Sequence, residues 1–539
     1  MKADIILKGK NIFDGKNMKI FSGMVAIADH KIIYVGEEKQ EVGLVDEHTQ
    51  IIDVEEQLIM PGIGDAHIHF YMSGLYASPF VHVSFTDESE QECVDGLKEL
   101  SKTIAKDRWL IGAGWYHPLW KNPVLPTKKS LDAVYPDRPV CMVSADCHTM
   151  WINSIGLEKL GLNKESTAPE GGSYDYLEDG ELAGTIHEAA ASSLIQQIYQ
   201  FTESEENAFY HNFIKKLNQY GITSVCDMSM MPVDGADFIR DDIFTRLLEQ
   251  GELSIRVNMY PTLRMDNCRI KEMQEKYTGT KLRCQGGKQF FDGVSSCHTA
   301  FLKEPYTNAY FEGDCGKTTI PPDEMKSLIL NAVKEEIPAR IHAIGDQAIH
   351  LLIDYFEEAY SIYGKSNHST IEHLENFQSD DLQRLADVGV IPSVQPPHLA
   401  IDPNGEERDL GMERIHYMWP FRTMIDLGMQ PAFGTDSPVV DINPFEGIYN
   451  AVTRRSAFTK EPKEGWVPTE KITILEALKA YTYGSAMAAN REEELGSLEI
   501  GKLADVIVLD KNIVKLDSEE ILQTKVVLTI VDGKVIYKK

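Results

Sequence analysis

The feature that most constrains this fold is a series of metal-ligand-type side chains, each of which ends or follows a short strand-like segment. In chain order these residues are His67, His69, Lys288, His342, His373 and Asp436. In a barrel of parallel strands the carboxyl ends of the strands meet on one face, and catalytic residues lie there. Brought together on such a face, these side chains would form a metal centre with a proton-transfer group.

The middle of the chain alternates between strand-like and helical segments, which is the pattern of βα units. The strand candidates are residues 58–64, 222–228, 253–260, 287–292, 339–342, 369–373, 390–395 and 430–436. The clearest helical segments between them are residues 323–336, 348–363 and 380–388. Eight strand candidates predict an α/β fold built on a (β/α)8 TIM barrel that occupies residues 58–494.

Both ends of the chain are rich in short strand-like runs. In the C-terminal part, two apolar runs flank Asp532-Gly533. An Asp-Gly pair between two apolar runs is a strong signal for a two-residue hairpin. The two ends therefore predict one small discontinuous β domain, made of residues 1–57 and 495–539.

The first and second strand candidates are separated by a segment far longer than a βα connection requires. Residues 72–205 are therefore predicted to form an inserted subdomain. Such an insertion leaves the catalytic face of the barrel, so it is placed to form a lid or a wall of the substrate pocket. Four of the six tryptophans lie in it, which fits either a core or a binding surface: Trp109, Trp115, Trp120 and Trp151.

Composition limits the class of protein and its partners. Hydrophobic residues make up 43% of the 539 residues, enough for a large core and too many for a disordered chain. The formal charge of −30 argues against nucleic acid or an anionic membrane as a partner, because both require a basic surface. A small-molecule substrate is expected instead. The oligomeric state is left open, with a homo-oligomer as one option.

Apolar runs and cysteine spacing bear on the cellular location. No stretch reaches the roughly 18 apolar residues of a membrane span, and the first residues lack the apolar core of a signal peptide. The eight cysteines are scattered without a CxxC pair, as expected for reduced thiols. These features predict a cytoplasmic protein.

His67 and His69 are separated by a single residue. Residues so spaced on a strand point to the same side, so both imidazoles can reach one metal ion. His342 and His373 end two later strand candidates, and imidazole is the commonest ligand for zinc-class metals. A single strand-end histidine is more often structural, so the prediction depends on the coincidence of several.

Asp436 ends the last strand candidate. A carboxylate there can touch a metal ion and take a proton from water that the ion activates, and it can then return the proton to a leaving nitrogen. The alternative is that Asp436 caps a following helix, because Asp436-Ser437-Pro438 is also a cap-like string.

Lys288 is unusual among metal-ligand-type residues, because an ammonium group is a cation and cannot bind a metal ion. A lysine that has reacted with carbon dioxide becomes an anionic carbamate, which can bridge two ions. The alternative is an ordinary ion pair, for example with Asp292. Spacing alone favours the ion pair.

Several motifs together resemble the amidohydrolase superfamily of metal-dependent hydrolases. Within it they are most similar to amidohydrolase family 3, the branch that contains N-substituted formamide deformylase-like enzymes. The matching segments are residues 61–69, 291–293 with 299–300 and 305–306, 342–346, 393–396 with His398, 434–438 and 501–505. The resemblance covers essentially the whole chain, and the motifs are specific in combination.

The resemblance implies both a fold and a site. It implies a (β/α)8 barrel with a small β-sandwich built from both ends of the chain. It also implies one or two divalent ions, usually zinc, with Asp436 as the catalytic aspartate. The other ligands that it implies are His67, His69, His342, His373 and a carboxylated Lys288.

The sequence departs from this branch near the expected substrate. Relatives usually carry arginine where this chain has Gln347, and aspartate follows their Gly-Trp where Tyr116-His117 follows here. Substrate identity is therefore not carried over. The substrate-binding candidates are Trp115, His117, Glu188, His298 and His398. For Glu188, an exposed glutamate at a helix start is an equally simple interpretation.

These arguments predict a metal-dependent hydrolase that cleaves a carbon–nitrogen bond other than a peptide bond, in a linear amide. Asp436 acts as general base and acid. One alternative is a cyclic-amide or ester hydrolase. Another is a catalytically inactive scaffold of the same fold, which is disfavoured because such scaffolds lose ligands and every ligand position here is filled.

Overall fold

The chain divides into two compact units. A computed structural model describes residues 1–38, 41–145, 147–169, 171–230 and 237–539. The first unit comprises Met1–His69, Ile214–Ser229 and Phe244–Lys539, and the second comprises Phe70–Phe213 and Met230–Ile243. Among the described residues, no helix is both long and apolar enough to cross a membrane.

The first unit begins with strands that belong to two different sheets. In chain order they are β1 (Ile5–Phe13), β2 (Ile20–Ala28), β3 (Lys31–Gly36), β4 (Gln50–Asp53), β5 (Leu58–Pro61) and β6 (Ile63–Ile68). Strands β1–β5 form part of a sheet made from the chain ends, whereas β6 starts a parallel sheet. The predicted single strand 58–64 is therefore wrong.

The division between β5 and β6 falls at Gly62. The Gly62 N–H donates to the Asp505 carbonyl near the C-terminus, and the next N–H, of Ile63, donates to Gly221 beside the parallel sheet. One continuous apolar run thus passes from one sheet to another. Hydrophobicity alone does not reveal such a change of partner, because both strands are buried.

The second unit contains a six-stranded sheet. Its strands are β7 (Val81–Val83), β8 (Leu110–Trp115), β9 (Val140–Ser144), β10 (Thr149–Ile152), β11 (Gly172–Tyr176) and β12 (Leu182–Glu188). The order is β11-β12-β10-β9-β8-β7, in which β7, β8 and β9 are parallel and the remaining pairs are antiparallel. Trp115, Trp120 and Trp151 pack in its hydrophobic core.

The first unit continues with parallel strands. They are β13 (Ile222–Met228), β14 (Arg256–Tyr260), β15 (Leu282–Cys284), β16 (Gly287–Phe290), β17 (Ala339–Ala343), β18 (Thr370–His373), β19 (Ile391–Val394) and β20 (Ala432–Phe433). They form two sheets with the orders β15-β14-β13-β6 and β16-β17-β18-β19-β20. Two isolated parallel bridges link these two sheets to each other. One pairs Thr262 with Lys288, and the other pairs Ile68 with Ser437. Strands β6, β13, β14 and β16–β20 are thereby connected in a cyclic order.

Most predicted strands of the middle region correspond to observed ones. Strand β13 has the predicted bounds, and the others differ at their ends. The last is reduced to β20, so that Asp436 lies in the loop beyond the strand. Strand β15 was not predicted; three residues are too short for a periodic signal.

Strands β21 (Val506–Leu509), β22 (Val526–Val531) and β23 (Lys534–Lys538) complete the sheet of the chain ends. The order β23-β22-β21-β5-β1-β2-β3, with β4 beside β1, joins both ends of the chain in one sheet. The predicted hairpin is confirmed, since Val531 pairs with Lys534 and both turn residues, Asp532 and Gly533, have positive φ. Whether this sheet packs as a sandwich stays a prediction.

Helices lie between the strands throughout the chain. They are α1 (Glu41–Leu44), α2 (Phe70–Tyr76), α3 (Glu90–Thr103), α4 (Lys128–Val134), α5 (Ser154–Lys159), α6 (Ala189–Ser192), α7 (Ile195–Ile198), α8 (Glu203–Gln219), α9 (Asp241–Glu249), α10 (Cys268–Lys276), α11 (Pro322–Lys334), α12 (Asp346–Tyr363), α13 (Asp381–Val388), α14 (Pro403–Leu410), α15 (Phe421–Asp426), α16 (Pro444–Thr453), α17 (Ile474–Lys479), α18 (Ser485–Ala488) and α19 (Ser518–Ile521). Helices α11, α12 and α13 match the three helical segments predicted from the sequence.

Candidate metal centre

Four imidazoles of the first unit surround the carboxylate of Asp436. His67 Nε2 lies 3.3 Å and His69 Nε2 3.1 Å from Asp436 Oδ1. On the other oxygen, Oδ2, His373 Nδ1 lies at 4.0 Å and His398 Nε2 at 3.9 Å. Asp436 thus belongs to two groups of closely spaced ligand-type atoms, one with His67 and His69 and one with His373 and His398.

The position of Asp436 is set by bonds between β6 and the segment after β20. The buried carboxylate of Asp65 accepts hydrogen bonds from the Thr435 N–H (3.0 Å) and hydroxyl (2.6 Å). The Asp436 N–H donates to the His67 carbonyl at 2.7 Å. A Cβ on Gly434 would lie 2.5 Å from the His67 nitrogen, so glycine is required for this close approach.

Two site residues have left-handed backbone conformations. Asp436 has φ 58° and His373 has φ 73°. Non-glycine residues rarely adopt such angles, and they concentrate at functional sites. Asp436 is not a helix cap, because helix α16 begins at Pro444 and is capped by Asn443. This observation removes the alternative interpretation of Asp436.

His67 is held by a buried chain of charged groups. Its Nδ1 lies 2.6 Å from Glu372 Oε2, and Glu372 Oε1 accepts a 2.8 Å bond from Arg340 Nε. Arg340 also donates to the Ala66 carbonyl at 2.7 Å and to the Ser393 hydroxyl at 3.1 Å. With Nδ1–H donating to Glu372, the lone pair of His67 is on Nε2, which faces Asp436.

His69 is oriented in the same way by a backbone carbonyl. Its Nδ1 lies 3.0 Å from the Met228 carbonyl oxygen, so Nδ1 is the donor and Nε2 carries the lone pair. The Nε2 atoms of His67 and His69 and the Oδ1 atom of Asp436 are therefore three acceptors that face one another. Such an arrangement is repulsive by itself and favourable around a cation.

The pKa values agree with neutral histidines and an ionised aspartate. Burial, reinforced by the nearby Lys288, lowers the pKa of His67 to about 4. Burial and the neighbouring His342 hold the pKa of His373 well below its usual range. Burial alone would raise the pKa of Asp436, but the surrounding histidines hold it well below the usual range. Neutral imidazole and ionised carboxylate are the forms that bind metal ions.

His398, predicted as a substrate-binding residue, lies in one of the two metal-ligand groups. Its Nδ1 is 3.6 Å from Glu375 Oε1. Burial by itself would lower the pKa of His398, but Glu375 and Asp436 raise it above the usual value. His398 therefore has a carboxylate beside each ring nitrogen, and either ligation or proton transfer is open to it.

Lys288 is completely buried and projects from β16. Its Nζ has no hydrogen-bond partner among the described residues, and it lies 4.8 Å from the centre of the Phe290 ring. Burial lowers the pKa of Lys288 to about 8, although Glu372 and Asp436 act in the opposite direction. An appreciable fraction of the amine is thus uncharged near neutral pH.

Asp292 does not pair with Lys288, and Lys288 Nζ has no hydrogen-bonded carboxylate among the described residues, so the alternative ion pair is not observed. Its carboxylate instead accepts backbone N–H groups of Phe301, Ile344 and Gly345 at 2.8–3.0 Å. It therefore connects the loop after β16 to the loop after β17.

His342 lies beside the group around Asp436. Its ring centre is 4.4 Å from that of His373. Its Nε2 lies 3.2 Å from the Gly293 carbonyl oxygen. This contact orients the ring and makes Nδ1 the candidate ligand atom of His342.

Several buried polar atoms converge without hydrogen-bond partners among the described residues. They are His67 Nε2, Lys288 Nζ, His373 Nδ1, His398 Nε2 and Asp436 Oδ1. Buried polar atoms in proteins are normally paired, so such a cluster calls for a binding partner. The donor set of imidazole nitrogens and a carboxylate fits a divalent ion of the zinc class.

His298 lies in a different environment within the first unit. Its ring is stacked between Tyr306 (4.0 Å) and Tyr310 (3.9 Å), and its Nδ1 lies 2.8 Å from Asp314 Oδ2. These contacts fix the imidazole rigidly. A role for His298 in substrate binding stays a prediction.

The remaining substrate-binding candidates belong to the second unit. Trp115 is 2% exposed and its indole N–H donates to the Met142 carbonyl at 3.1 Å, as expected for a core residue. His117 lies in a short 3-10 helix beside Trp115. Glu188 precedes α6 but is not a simple exposed helix-start residue, since it pairs with His148 at 2.8 Å. Substrate roles for these residues stay predictions.

Four charged residues that support the ligands were not predicted from the sequence. These are Asp65, Arg340, Glu372 and Glu375. A signal existed for two of them: strands of parallel sheets are usually apolar along their whole length, yet Arg340 and Glu372 interrupt two such strands. Charged groups inside a buried strand require partners, although the sequence does not say which.

The chain is similar to known proteins along almost its whole length. The sequence matches the amidohydrolase family over residues 50–537. Protein LONG AFTER FAR-RED 3 of Arabidopsis thaliana is 26% identical over 99% of this chain and 92% of its own length. N-substituted formamide deformylase of Arthrobacter pascens is 28% identical over 96% of this chain and 95% of its own length.

A solved structure has a similar fold. The crystal structure of a metal-dependent hydrolase from Pyrococcus horikoshii OT3 superimposes with a TM-score of 0.75 at 25% sequence identity. The similarity covers 95% of this chain and 99% of that one.

Proposed function

Since the chain belongs to the amidohydrolase family and is a metal-dependent hydrolase of carbon–nitrogen bonds, we propose that its substrate is a small linear amide. The observation that carries the proposal is the convergence of acceptor atoms from His67, His69 and Asp436 in a buried site. The deformylase among the relatives, which acts on N-substituted formamides by its name, supports an amide as the substrate class.

In the proposed reaction the metal ion and the protein side chains have different roles. When bound, a divalent ion supplies Lewis-acid polarisation of the substrate carbonyl and activation of water at neutral pH. His67 and His69 hold their ligand nitrogens in place through Glu372 and the Met228 carbonyl. Because these tautomers are set before binding, little reorganisation is needed.

Asp436 is the proposed proton-transfer group. Its carboxylate is ionised at neutral pH, because its pKa lies well below the usual range of an aspartate. It accepts the proton of the attacking water as the oxygen–carbon bond forms. It then returns that proton to the leaving nitrogen as the carbon–nitrogen bond breaks, and the products are an acid and an amine.

We expect the purified protein to contain about one to two divalent ions per chain, mainly zinc, because two ligand groups share Asp436. Elemental analysis of protein prepared without chelators measures this content. Chelation should lower the unfolding temperature, since the ion binds only the folded protein. A content far below one ion for every transition metal, unchanged after reconstitution, would contradict the prediction.

Lys288 is proposed to carry a carboxyl group. Carbon dioxide adds to the uncharged amine, a nitrogen–carbon bond forms and one proton leaves, so that a neutral group becomes an anion. From the ammonium form, two protons leave in all. The unpartnered, fully buried Nζ supports this proposal, because an ammonium group would repel a nearby metal ion. A carbamate reverses the sign of that interaction and provides oxygen ligands.

For Lys288→Ala we expect a lower metal content and no measurable turnover, because the variant loses an anionic ligand. A short-chain carboxylic acid added to bicarbonate-free buffer should restore part of the metal content. Carbon-13 NMR of wild-type protein equilibrated with labelled carbon dioxide would test for the carbamate directly. Full metal content in the variant, together with no carbamate signal in metal-loaded wild type, would reject the proposal.

A substrate panel distinguishes the proposed function from its alternatives. Zinc-loaded protein is assayed with matched N-formyl and N-acyl amines, lactams and esters. Faster hydrolysis of linear amides supports the proposal, whereas preference for lactams or esters supports the cyclic-amide or ester alternative. Full metal content without turnover of any substrate would favour an inactive scaffold.

The architecture around the site is also part of the proposal. The cyclic order of the parallel strands supports a closed (β/α)8 barrel with the metal centre at the carboxyl ends of its strands. Residues 1–57 and 495–539 are proposed to pack as a sandwich, and residues 72–205 to serve as the lid.

A further inference from the structure

A buried carboxamide three residues before His398 in the chain has no part in the mechanism above. Gln395 is 0% exposed, and neither its Nε2 nor its Oε1 has a hydrogen-bond partner among the described residues. Burying an amide without partners is unfavourable, and an apolar side chain of similar size would avoid that loss. Gln395 therefore offers a donor and an acceptor to something other than the protein.

The position of Gln395 places this amide at the end of the parallel sheet that carries the ligands. It directly follows β19, which lies between the strands leading to His373 and Asp436. Two residues earlier, the buried hydroxyl of Ser393 accepts a hydrogen bond from Arg340. Alternate residues of a strand share a face, so Gln395 projects to the same side, nearer the carboxyl end.

The backbone also connects Gln395 to a ligand histidine. Its carbonyl accepts a 3.1 Å hydrogen bond from the His398 N–H, and this bond belongs to the short 3-10 helix Pro396–Ala400. The side chain and the imidazole of His398 are thus carried by one rigid turn. A molecule bound beside His398 would lie close to Gln395.

Another buried glutamine, Gln289, differs from Gln395 because both polar atoms of its side chain are bonded. Gln289 on β16 is 5% exposed, and its Nε2 donates to the Leu263 carbonyl at 3.1 Å. Its Oε1 accepts a 2.9 Å bond from the Phe290 N–H. Gln289 is therefore a structural glutamine, and it provides a matched control.

We propose, on the basis of the proposed function, that Gln395 recognises the amide group of the substrate. Its Oε1 accepts a hydrogen bond from the substrate N–H, and its Nε2–H remains available to another acceptor of the substrate. The acceptor gives the site its selectivity: primary and secondary amides are preferred to esters and tertiary amides, which have no N–H. Gln395 is thus a specificity-determining residue rather than a proton-transfer group.

The test compares Gln395→Met and Gln395→Leu with wild-type, metal-loaded protein on a secondary amide and its matching ester. We expect the amide-to-ester ratio of kcat/KM to fall by about tenfold in both variants, the scale of a lost hydrogen bond to substrate. Metal content should stay at the wild-type value. An unchanged ratio in both variants would overturn the proposal.

A second measurement needs no substrate and so remains decisive if the proposed function fails. Thermal unfolding is compared for Gln395→Met, Gln395→Leu and the control Gln289→Met. Replacing an unpartnered buried amide should raise or preserve the unfolding temperature, whereas Gln289→Met should lower it. If the Gln395 variants are destabilised as much as the control, Gln395 is structural and the proposal is wrong. Absence of turnover by wild type would count against the proposed function alone.

Discussion

Asp436→Asn is expected to lower turnover by at least about a hundredfold, the usual scale for losing general acid–base catalysis. Asparagine has nearly the same size, but it does not accept the proton of the attacking water. Metal content should fall much less than turnover, because the histidines of both ligand groups remain and the amide oxygen is still a weak ligand. Steady-state kinetics and elemental analysis of the same preparation measure the turnover and the metal content.

Asp381→Asn is a suitable control for this experiment. Asp381 is also buried, but on helix α13, where it pairs with His350 and Arg384. The control should keep the wild-type turnover. Near-normal turnover in Asp436→Asn would mean that another group, for example His398, transfers the proton.

Glu372→Gln is expected to destabilise the fold and weaken metal binding together. Glu372 and Arg340 are both 0% exposed, and loss of one partner leaves the other charge buried without compensation, at a cost of about 3–5 kcal/mol of unfolding free energy. The His67 ring also loses the carboxylate that sets its tautomer, which should lower metal affinity by about 10–100-fold. Denaturant unfolding and metal competition titration measure the two effects.

A double variant separates these two effects. Adding Arg340→Met to Glu372→Gln removes the uncompensated charge, so part of the stability should return while metal affinity stays low. Glu358→Gln, which breaks an exposed ion pair with Lys326, should change neither quantity measurably. Wild-type metal affinity in Glu372→Gln would show that His67 does not need this carboxylate.

Local sequence patterns were sufficient to predict part of the fold and part of the metal centre. The one-residue spacing of His67 and His69 decided that both face the same side, and both Nε2 atoms do approach Asp436. The bounds of β13 and the hairpin at Asp532-Gly533 also agree with the sequence, because period and turn chemistry are properties of a few adjacent residues. The family, too, was evident from motifs along the chain.

Other features of the fold and the metal centre depend on which distant segments of the chain pack against each other. Arg340 and Glu372 are visible in the sequence as charges inside strands, but their pairing with His67 arises from strand order. The division at Gly62 had no local signal, because the strands on both sides of it are equally apolar.

His398 and Gln395 show most clearly what the tertiary structure alone decided. The sequence predicts a substrate-binding role for His398, which stays a prediction, and only the structure shows that its Nε2 lies 3.9 Å from Asp436. Nothing in the sequence indicated that the amide of Gln395 would be buried without partners, because a glutamine after a strand is usually solvated or bonded nearby. Periodicity determines which way a side chain points, but the atoms that it meets come from distant segments, and only the packed fold determines those.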